Sequence, residues 1–325
     1  MSEKVLVTRK LPEKAMKLLH SECYLTVNPY DRPMTRQELE RAIEPVCGLL
    51  PLLTDTIDST LIDKAPKLRV IANYAVGYNN IDLDYCSKKN IRVSNTPGVL
   101  TEATADLTWS LMMALARRVV EGDLYIRQGK FKAWSPSLLL GQDIYQKKLG
   151  IIGFGRIGAA VAKRARGFNM TVLYCNRNRL SSYTENKMGI SYRSLDQLLQ
   201  QADYVTLHVP LNEHTHHLIG SEELRKMKET AYLINTSRGS VIDEKALVQA
   251  LQDRVIAGAA LDVYENEPEL TPGLAELSQT ILTPHIASAT VQTRTEMAMV
   301  AVKNLLAGLK GEVMPNLVNK DLLGL

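Results

Sequence analysis

Short apolar runs alternate with stretches in which apolar residues return every third or fourth position, and this alternation extends over nearly the whole chain. In the first hundred residues, strands are predicted at 5–8, at the apolar run 46–53, and at 69–73 and 91–94, which suits a small parallel sheet. Helical spacing lies between them at 12–20, opened by Pro12, at 35–43, where Thr35 is followed by Glu38 three positions on, and at 59–64. A longer helical pattern over 101–128 carries Leu107, Leu111, Met112 and Leu115 on one side and suits a segment joining two domains. Beyond it, strands are predicted at 148–152, 170–174, 204–208, 231–235, 256–261 and 280–282. Helices at 156–168, 222–227 and 244–252 lie among these strands, and a last helix is predicted over 290–309. Strand and helix in regular succession predict α/β architecture, with a small parallel sheet upstream and a doubly wound sheet of about six strands downstream.

The length of 325 residues favours two domains, and a hydrophobic content of 45% supplies two cores. The net charge of +4 is small and the basic residues are dispersed, so neither nucleic acid nor a membrane surface is an expected partner. No apolar run approaches the roughly 18 residues of a spanning helix, and the chain enters its first strand without the apolar core of a secretion signal. Cys23, Cys47, Cys86 and Cys175 show no paired spacing and read as reduced thiols of a cytoplasmic protein.

Gly153-Phe154-Gly155-Arg156-Ile157-Gly158 follows one predicted strand and opens a helix, the context in which a glycine-rich turn binds a dinucleotide. The first glycine permits the turn, the second lets the backbone approach a pyrophosphate, and the third lets helix pack on strand. Past the next strand, Asn176-Arg177-Asn178-Arg179 holds no acid for a ribose 2′-hydroxyl but two arginines whose planar forks suit a phosphate. NADP(H) is therefore the expected cofactor and NAD(H) the second candidate, although a basic surface loop would carry the same charges.

Three further segments follow strand ends, where open α/β sheets place ligands: 235–239 with Arg238, 262–268 with Asp262, Glu265 and Glu267, and 283–288 with His285. Arginine can hold a carboxylate and polarise the adjacent carbonyl. Histidine can protonate the carbonyl oxygen as hydride arrives, and a carboxylate on its other nitrogen fixes the ring. Spacing leaves open whether Glu265, Glu267 or Glu269 faces His285. His214, His216 and His217 stand in a polar turn beside Asn212 and Glu213, without a cysteine or paired-carboxylate pattern. They read as a solvent-facing loop, and no metal site is expected. Residues 129–146, with Trp134 and Leu138-Leu139-Leu140, offer either a contact for a second copy or a loop on their own domain.

The chain resembles the D-isomer-specific 2-hydroxyacid dehydrogenase family over nearly its whole length, most of all its glyoxylate/hydroxypyruvate reductase branch. The resemblance rests on AVGYNNID at 75–82, NTPGVLT at 95–101, the glycine loop, HVPL at 208–211, NTSRG at 235–239, DVYENEP at 262–268 and PHIASAT at 284–290. It implies a Rossmann-type nucleotide domain (99–286) inserted in a discontinuous, flavodoxin-like substrate domain (1–98 and 287–325). It also implies a homodimer formed through an arm at about 121–146. The catalytic triad would be Arg238, Glu267 and His285, with the N–H groups of Val76 and Gly77 binding the substrate carboxylate beside Arg238 and His285. Thr104, Gly153, Gly155, Arg156, Ile157, Gly158, Asn176, Arg177, Arg179, His208, Val209, Pro210, Thr215, Thr236, Ser237, Arg238, Asp262, His285 and Ala287 would contact the cofactor, Asp262 orienting the nicotinamide amide. The implied reaction is reduction of glyoxylate to glycolate and of hydroxypyruvate to D-glycerate. The alternatives are a 2-ketogluconate reductase, another D-2-hydroxyacid dehydrogenase, or a dinucleotide-sensing corepressor-like protein of the same fold.

Overall fold

The computed structural model describes residues 3–323; the outermost positions of the expected 1–98 and 287–325 segments lie outside the described residues. The chain forms two compact units, one made of the residues up to Leu100 with those from Ser288 onward, the other of Thr101–Ala287. The divisions thus fall after Leu100 and Ala287, where the sequence analysis placed them after 98 and 286. Both sheets are parallel throughout, the two-domain α/β architecture expected.

In the first unit, β1 (Lys4–Val7), β2 (Tyr24–Val27), β3 (Gly48–Leu50), β4 (Val70–Ala72) and β5 (Arg92–Ser94) lie in the order β2-β1-β3-β4-β5. Helices α1 (Glu13–Glu22), α2 (Arg36–Ile43), α3 (Ser59–Asp63) and α4 (Leu83–Lys88) connect them. The capping box expected at Thr35 forms, with Glu38 N donating to Thr35 Oγ1 and Thr35 N donating to the Glu38 carboxylate. The chain returns to this unit because the apolar stripe of its last helix, Val291–Leu309, has its partner here. Met297, Ala301, Val302 and Leu305 pack with Val5, Val7, Leu50 and Val70 in one buried cluster. The tail is then pinned to β5 by Asn319, whose side chain accepts from Val93 N (3.0 Å) and donates to Ile91 O (2.9 Å).

In the second unit, α5 (Thr101–Ala116) and α6 (Val119–Arg127) lead into β6 (Lys148–Ile152), α7 (Arg156–Ala165), β7 (Thr171–Cys175), α8 (Ser182–Met188) and β8 (Ile190–Tyr192). These are followed by α9 (Leu195–Gln201), β9 (Tyr204–Leu207), α10 (Ser221–Lys226), β10 (Tyr232–Asn235), α11 (Glu244–Gln252), β11 (Gly258–Leu261) and β12 (Thr280–Leu282); the returning helix of the first unit is α12. Two expectations need correction. The single helix over 101–128 is two helices, parted where Arg118 takes a left-handed backbone (φ 52°) that a continuing right-handed helix cannot contain. The sheet has seven strands, not six, because β8 adds an edge strand.

The order β12-β11-β10-β9-β6-β7-β8 reverses direction between β6 and β9. Parallel strands end at one edge, and at this reversal adjacent crossovers leave by opposite faces, which opens a crevice there. Leu149 and Ile151 pack toward α5 and α7, whereas Ile152, Val205 and Leu207 pack toward α9, α10 and α11. Among the described residues no helix is long and apolar enough to cross a membrane, and the four cysteines are free thiols.

Just past β7, the buried Glu185 carboxylate accepts from Tyr174 Oη (2.7 Å) and from Arg179 Nε and Nη2 (both 2.8 Å). The bonds from Arg179 and then Tyr174 pull its pKa from the ordinary 4.5 to about 2, against the opposing effect of burial. A depressed carboxylate contributes stability that is present above its ordinary pKa and lost as pH falls toward the folded value. Glu185→Gln should therefore lower Tm at neutral pH, and the gap to the parent should narrow progressively below pH 4.5. A gap independent of pH would show that the ion pair contributes nothing.

Candidate active site

The glycine loop lies at the β6/β9 reversal. Gly153 has φ +94°, and a Cβ placed on it would lie 2.7 Å from both His208 C and Val209 N, so a side chain is excluded twice. A Cβ on Gly158 would meet Gly153 O at 2.5 Å, which is the close approach of helix to turn. At Gly155 a Cβ would meet nothing within 4 Å. Gly155 also serves as the N-cap of α7 and supplies no side-chain bond to the first-turn N–H groups. Free N–H groups at the positive end of a ten-residue helix, facing open space, are what a pyrophosphate requires, so the residues present fit a dinucleotide.

The surrounding segments are tied to this loop. Phe154 N donates to Asn176 Oδ1 (2.6 Å), Gly153 N to Cys175 O (3.0 Å) and His208 N to Ile152 O (2.8 Å). Both ring nitrogens of His208 are buried without a hydrogen-bond partner among the described residues, and burial pushes its pKa down to about 3, so the ring is neutral. An orphaned polar ring beside the loop is a second feature that fits a polar ligand. Val209 and Pro210 continue that strand end, and Thr215 Oγ1 closes the next turn onto Pro210 O (2.6 Å). Thr104 is buried in α5, and Ile157 is partly buried against the adjacent core. Thr236 is bonded to Thr108 (2.9 Å) and Ser237 to Asn235 Oδ1 (2.8 Å).

The two arginines past β7 part company. Arg177 is exposed and engages no partner among the described residues, whereas Arg179 is held in a two-bond pair with Glu185 and lies over the Tyr192 ring. The expectation that both serve a phosphate meets a competing structural role at Arg179.

Arg238, Glu267 and His285 come together on loops past β10, β11 and β12. A Cβ on Gly239 would lie 1.8 Å from Tyr264 C, so the first two loops touch backbone to backbone and only glycine fits between them. His285 Nδ1 lies 2.9 Å from Glu267 Oε2, with the two side chains 25% and 29% exposed. This settles the choice among the three glutamates, for Glu265 is turned instead to His217. Since a carboxylate only accepts, Nδ1 carries the proton and Nε2 is left for chemistry. Tyr264 N donates to the other Glu267 oxygen (3.0 Å). Burial works to raise the Glu267 pKa, but the His285 bond and charge, the Tyr264 amide and the Arg238 charge outweigh it and the net direction is down. Burial lowers the pKa of Arg238, and the Glu267 charge opposes that; its Nη1 donates to Ser237 O (2.7 Å).

Asp262 is fully buried at the end of β11 and holds the histidine loop. Its Oδ1 accepts from Thr283 Oγ1 (2.6 Å) and Ile286 N (2.8 Å), and Oδ2 from Ala287 N (2.8 Å). These bonds clamp both sides of His285, whose backbone is left-handed at φ 53°. Sequence reasoning missed Glu244, a buried acid at the start of α11 that accepts from Glu265 N and Thr271 Oγ1 (both 2.7 Å) and so fixes the segment carrying Glu267. An acid in a first helical turn is ordinary, so no sequence signal could have marked it.

In the first unit, Ala75 O accepts from Thr96 N (2.9 Å), and Val76 O and Gly77 O accept from Asn95 Nδ2 (2.7 Å) and Asn73 Nδ2 (2.9 Å). The N–H and C=O of a trans peptide point oppositely, so tying these carbonyls inward turns the N–H groups of Val76 and Gly77 outward.

The family model described as D-isomer specific 2-hydroxyacid dehydrogenase, NAD binding domain, matches residues 109–287. The glyoxylate reductase of Korarchaeum cryptofilum is 48% identical, over 99% of this chain and 97% of its own. The crystal structure of a glyoxylate reductase from Paecilomyes thermophila superposes with a TM-score of 0.88 at 35% identity, covering 98% of this chain and 99% of its own. An NADPH-dependent glyoxylate/hydroxypyruvate reductase from Sinorhizobium meliloti, in complex with NADP and malonate, gives 0.85 at 29% identity, over 98% and 97% of the two chains.

Replacing Gly239 with alanine should force the 238–240 and 264–265 backbones apart and destabilise the protein by about 1–3 kcal/mol, the usual cost of overpacking. Urea unfolding measures this, and an unchanged midpoint would mean that the loops separate freely.

Proposed function

We propose that this chain, which belongs to the D-isomer specific 2-hydroxyacid dehydrogenase family and is an oxidoreductase, reduces small 2-keto acids to D-2-hydroxy acids. Glyoxylate is the first substrate and hydroxypyruvate the second, giving glycolate and D-glycerate. The observation that carries this reading is the 2.9 Å bond between His285 and Glu267, the latter on a loop that touches the one bearing Arg238. The nicotinamide cofactor supplies the hydride. Arg238 holds the carboxylate and polarises the adjacent carbonyl. His285, oriented by Glu267 at Nδ1, delivers a proton from Nε2 to the carbonyl oxygen as it gains charge. Val76 and Gly77 present N–H groups of the kind that hold a carboxylate. The names carried by the relatives support the choice of substrates.

NADPH is the preferred donor in this reading, with Arg177 the cation that meets the 2′-phosphate and Arg179 supporting the loop from its pair with Glu185. The protein acts as a homodimer. α6 buries none of its residues, and Val119, Leu124, Ile126, Phe131, Trp134 and Leu140 are exposed along the arm, Trp134 by 80%. Apolar surface of that extent on one segment suits a second copy of the chain. Four free thiols accord with the reducing environment of the cytoplasm.

Purified protein assayed with NADPH and a panel of 2-keto acids should turn over glyoxylate fastest, and negligible turnover across the panel would defeat the reading. His285→Ala should lower kcat by about 10²- to 10⁴-fold while leaving NADPH binding nearly intact; unchanged kcat would remove His285 from the mechanism. Arg177→Asp should reduce kcat/KM with NADPH by roughly 10- to 100-fold, the worth of bonds to a charged group, with little loss for NADH. An unaltered NADPH/NADH ratio would refute the phosphate role of Arg177.

A further inference from the structure

The histidines at 214–217 show no paired-carboxylate pattern in their own stretch of sequence, and the fold brings a carboxylate to His217 from 48 residues away. His217 Nε2 and Glu265 Oε1 are 2.6 Å apart, and a ring nitrogen of His216 completes a group whose three donor atoms all lie within 4.8 Å of one another. We propose that His216, His217 and Glu265 form a site for a divalent transition-metal ion of the zinc class, with water completing its shell.

The donor set is the first argument. Two imidazoles and a carboxylate with room for solvent are the ligands of three-residue zinc centres, whereas hard ions such as magnesium or calcium take oxygen alone. The backbone is the second, because each ligand stands on a fixed peptide. His216 N donates to Asn212 O (2.9 Å), His217 N to Ser240 O (2.8 Å) and Glu265 N to the buried Glu244 carboxylate (2.7 Å). His217 is further set at φ +50°, a left-handed conformation uncommon outside glycine. Its ring faces Glu265, with the side chain 36% exposed and that of Glu265 only 21%. The two histidine rings stack at 4.0 Å, which places His216 over His217.

Distance is the third argument. Ligands at about 2.0–2.1 Å from a tetrahedral ion lie about 3.3 Å from one another. The ion therefore takes the place of the proton between His217 and Glu265, which part by less than 1 Å on that geometry, and the exposed His216 ring turns its lone pair inward. Bound there, the ion joins the turn that carries Thr215 to the segment that carries Glu267, outside the pair that Glu267 makes with His285.

The test uses the full-length protein without an affinity tag, dialysed against ZnCl₂, with bound metal measured by atomic absorption and the site's geometry read from the visible spectrum after loading with Co²⁺. The parent should take up about one equivalent per chain, with His216→Ala and Glu265→Gln each weakening uptake at least tenfold and His285→Ala leaving it unchanged. Failure to take up zinc stoichiometrically, or parental affinity in His216→Ala, would overturn the proposal. Loss of uptake in His285→Ala would overturn it equally, by moving the ion to the His285–Glu267 pair. Circular dichroism checks the fold, and if Glu265→Gln unfolds, His216→Ala decides, since that side chain is exposed.

Discussion

Parallel strands end at one edge of their sheet, and in this chain that constraint decides where chemistry can occur. Each strand of the seven-stranded sheet delivers its following loop to the same edge, so residues as distant as Gly153, His208, Arg238, Glu267 and His285 all fall there. The reversal between β6 and β9 adds a crevice at one point of the edge, and the glycine loop with its side-chain-free helix terminus occupies it. No alternating, one-faced sheet would do this, because antiparallel neighbours send successive loops to opposite ends.

Loops gathered at an edge still need to be held, and the fold uses buried acids for this. Asp55 accepts from Thr8 Oγ1 and Leu52 N, which ties the loop past β1 to that past β3. Asp262 accepts from the loop past β12, and Glu244 from the segment between β11 and β12. In all three, burial raises the carboxyl pKa from its ordinary value while the bonds from hydroxyl and amide donors pull it back. The opposition is informative. A buried carboxylate is costly unless its oxygens are satisfied, so each acid makes its loop a requirement of its own burial. Positioning of the reactive loops is thereby built into the stability of the fold.

The same physics explains what was legible in the sequence. Central strands such as β1, β4, β6, β9 and β10 are buried on both faces and appear as apolar runs. β2 at one edge of its sheet alternates exposed and half-buried positions, and β8 at an edge is three residues long; neither presents such a run, and both went unread. The glycine loop was legible because its requirements are local: a turn, an approach and a packing contact within six residues. The break at Arg118 was not, since arginine is a good helix former and nothing in its neighbours stops a helix. Pairings over long separations were the least legible. Arg179 reads as a phosphate ligand until Glu185 claims it, and three glutamates look equivalent until the fold gives Glu267 to His285, Glu265 to His217 and leaves Glu269 exposed.

That division of labour between neighbouring glutamates rests on a turn just past β11, because two positions apart on a strand would place both side chains on one face. Asn266 and Glu269 form an isolated antiparallel bridge, and Glu269 N donates to Asn266 O (2.9 Å), so 264–269 is a tight, self-bonded turn. Within it Glu265 N is anchored on Glu244, Tyr264 N on Glu267 and Tyr264 Oη on Thr283 O, which leaves the backbone little freedom to exchange one carboxylate for the other. Glu265 and Glu267 are therefore chemically identical residues with separate histidine partners. What distinguishes them is the direction the turn imposes on each side chain, and that direction is set by the Glu265 N bond to α11 and the Tyr264 hydroxyl bond to the loop past β12.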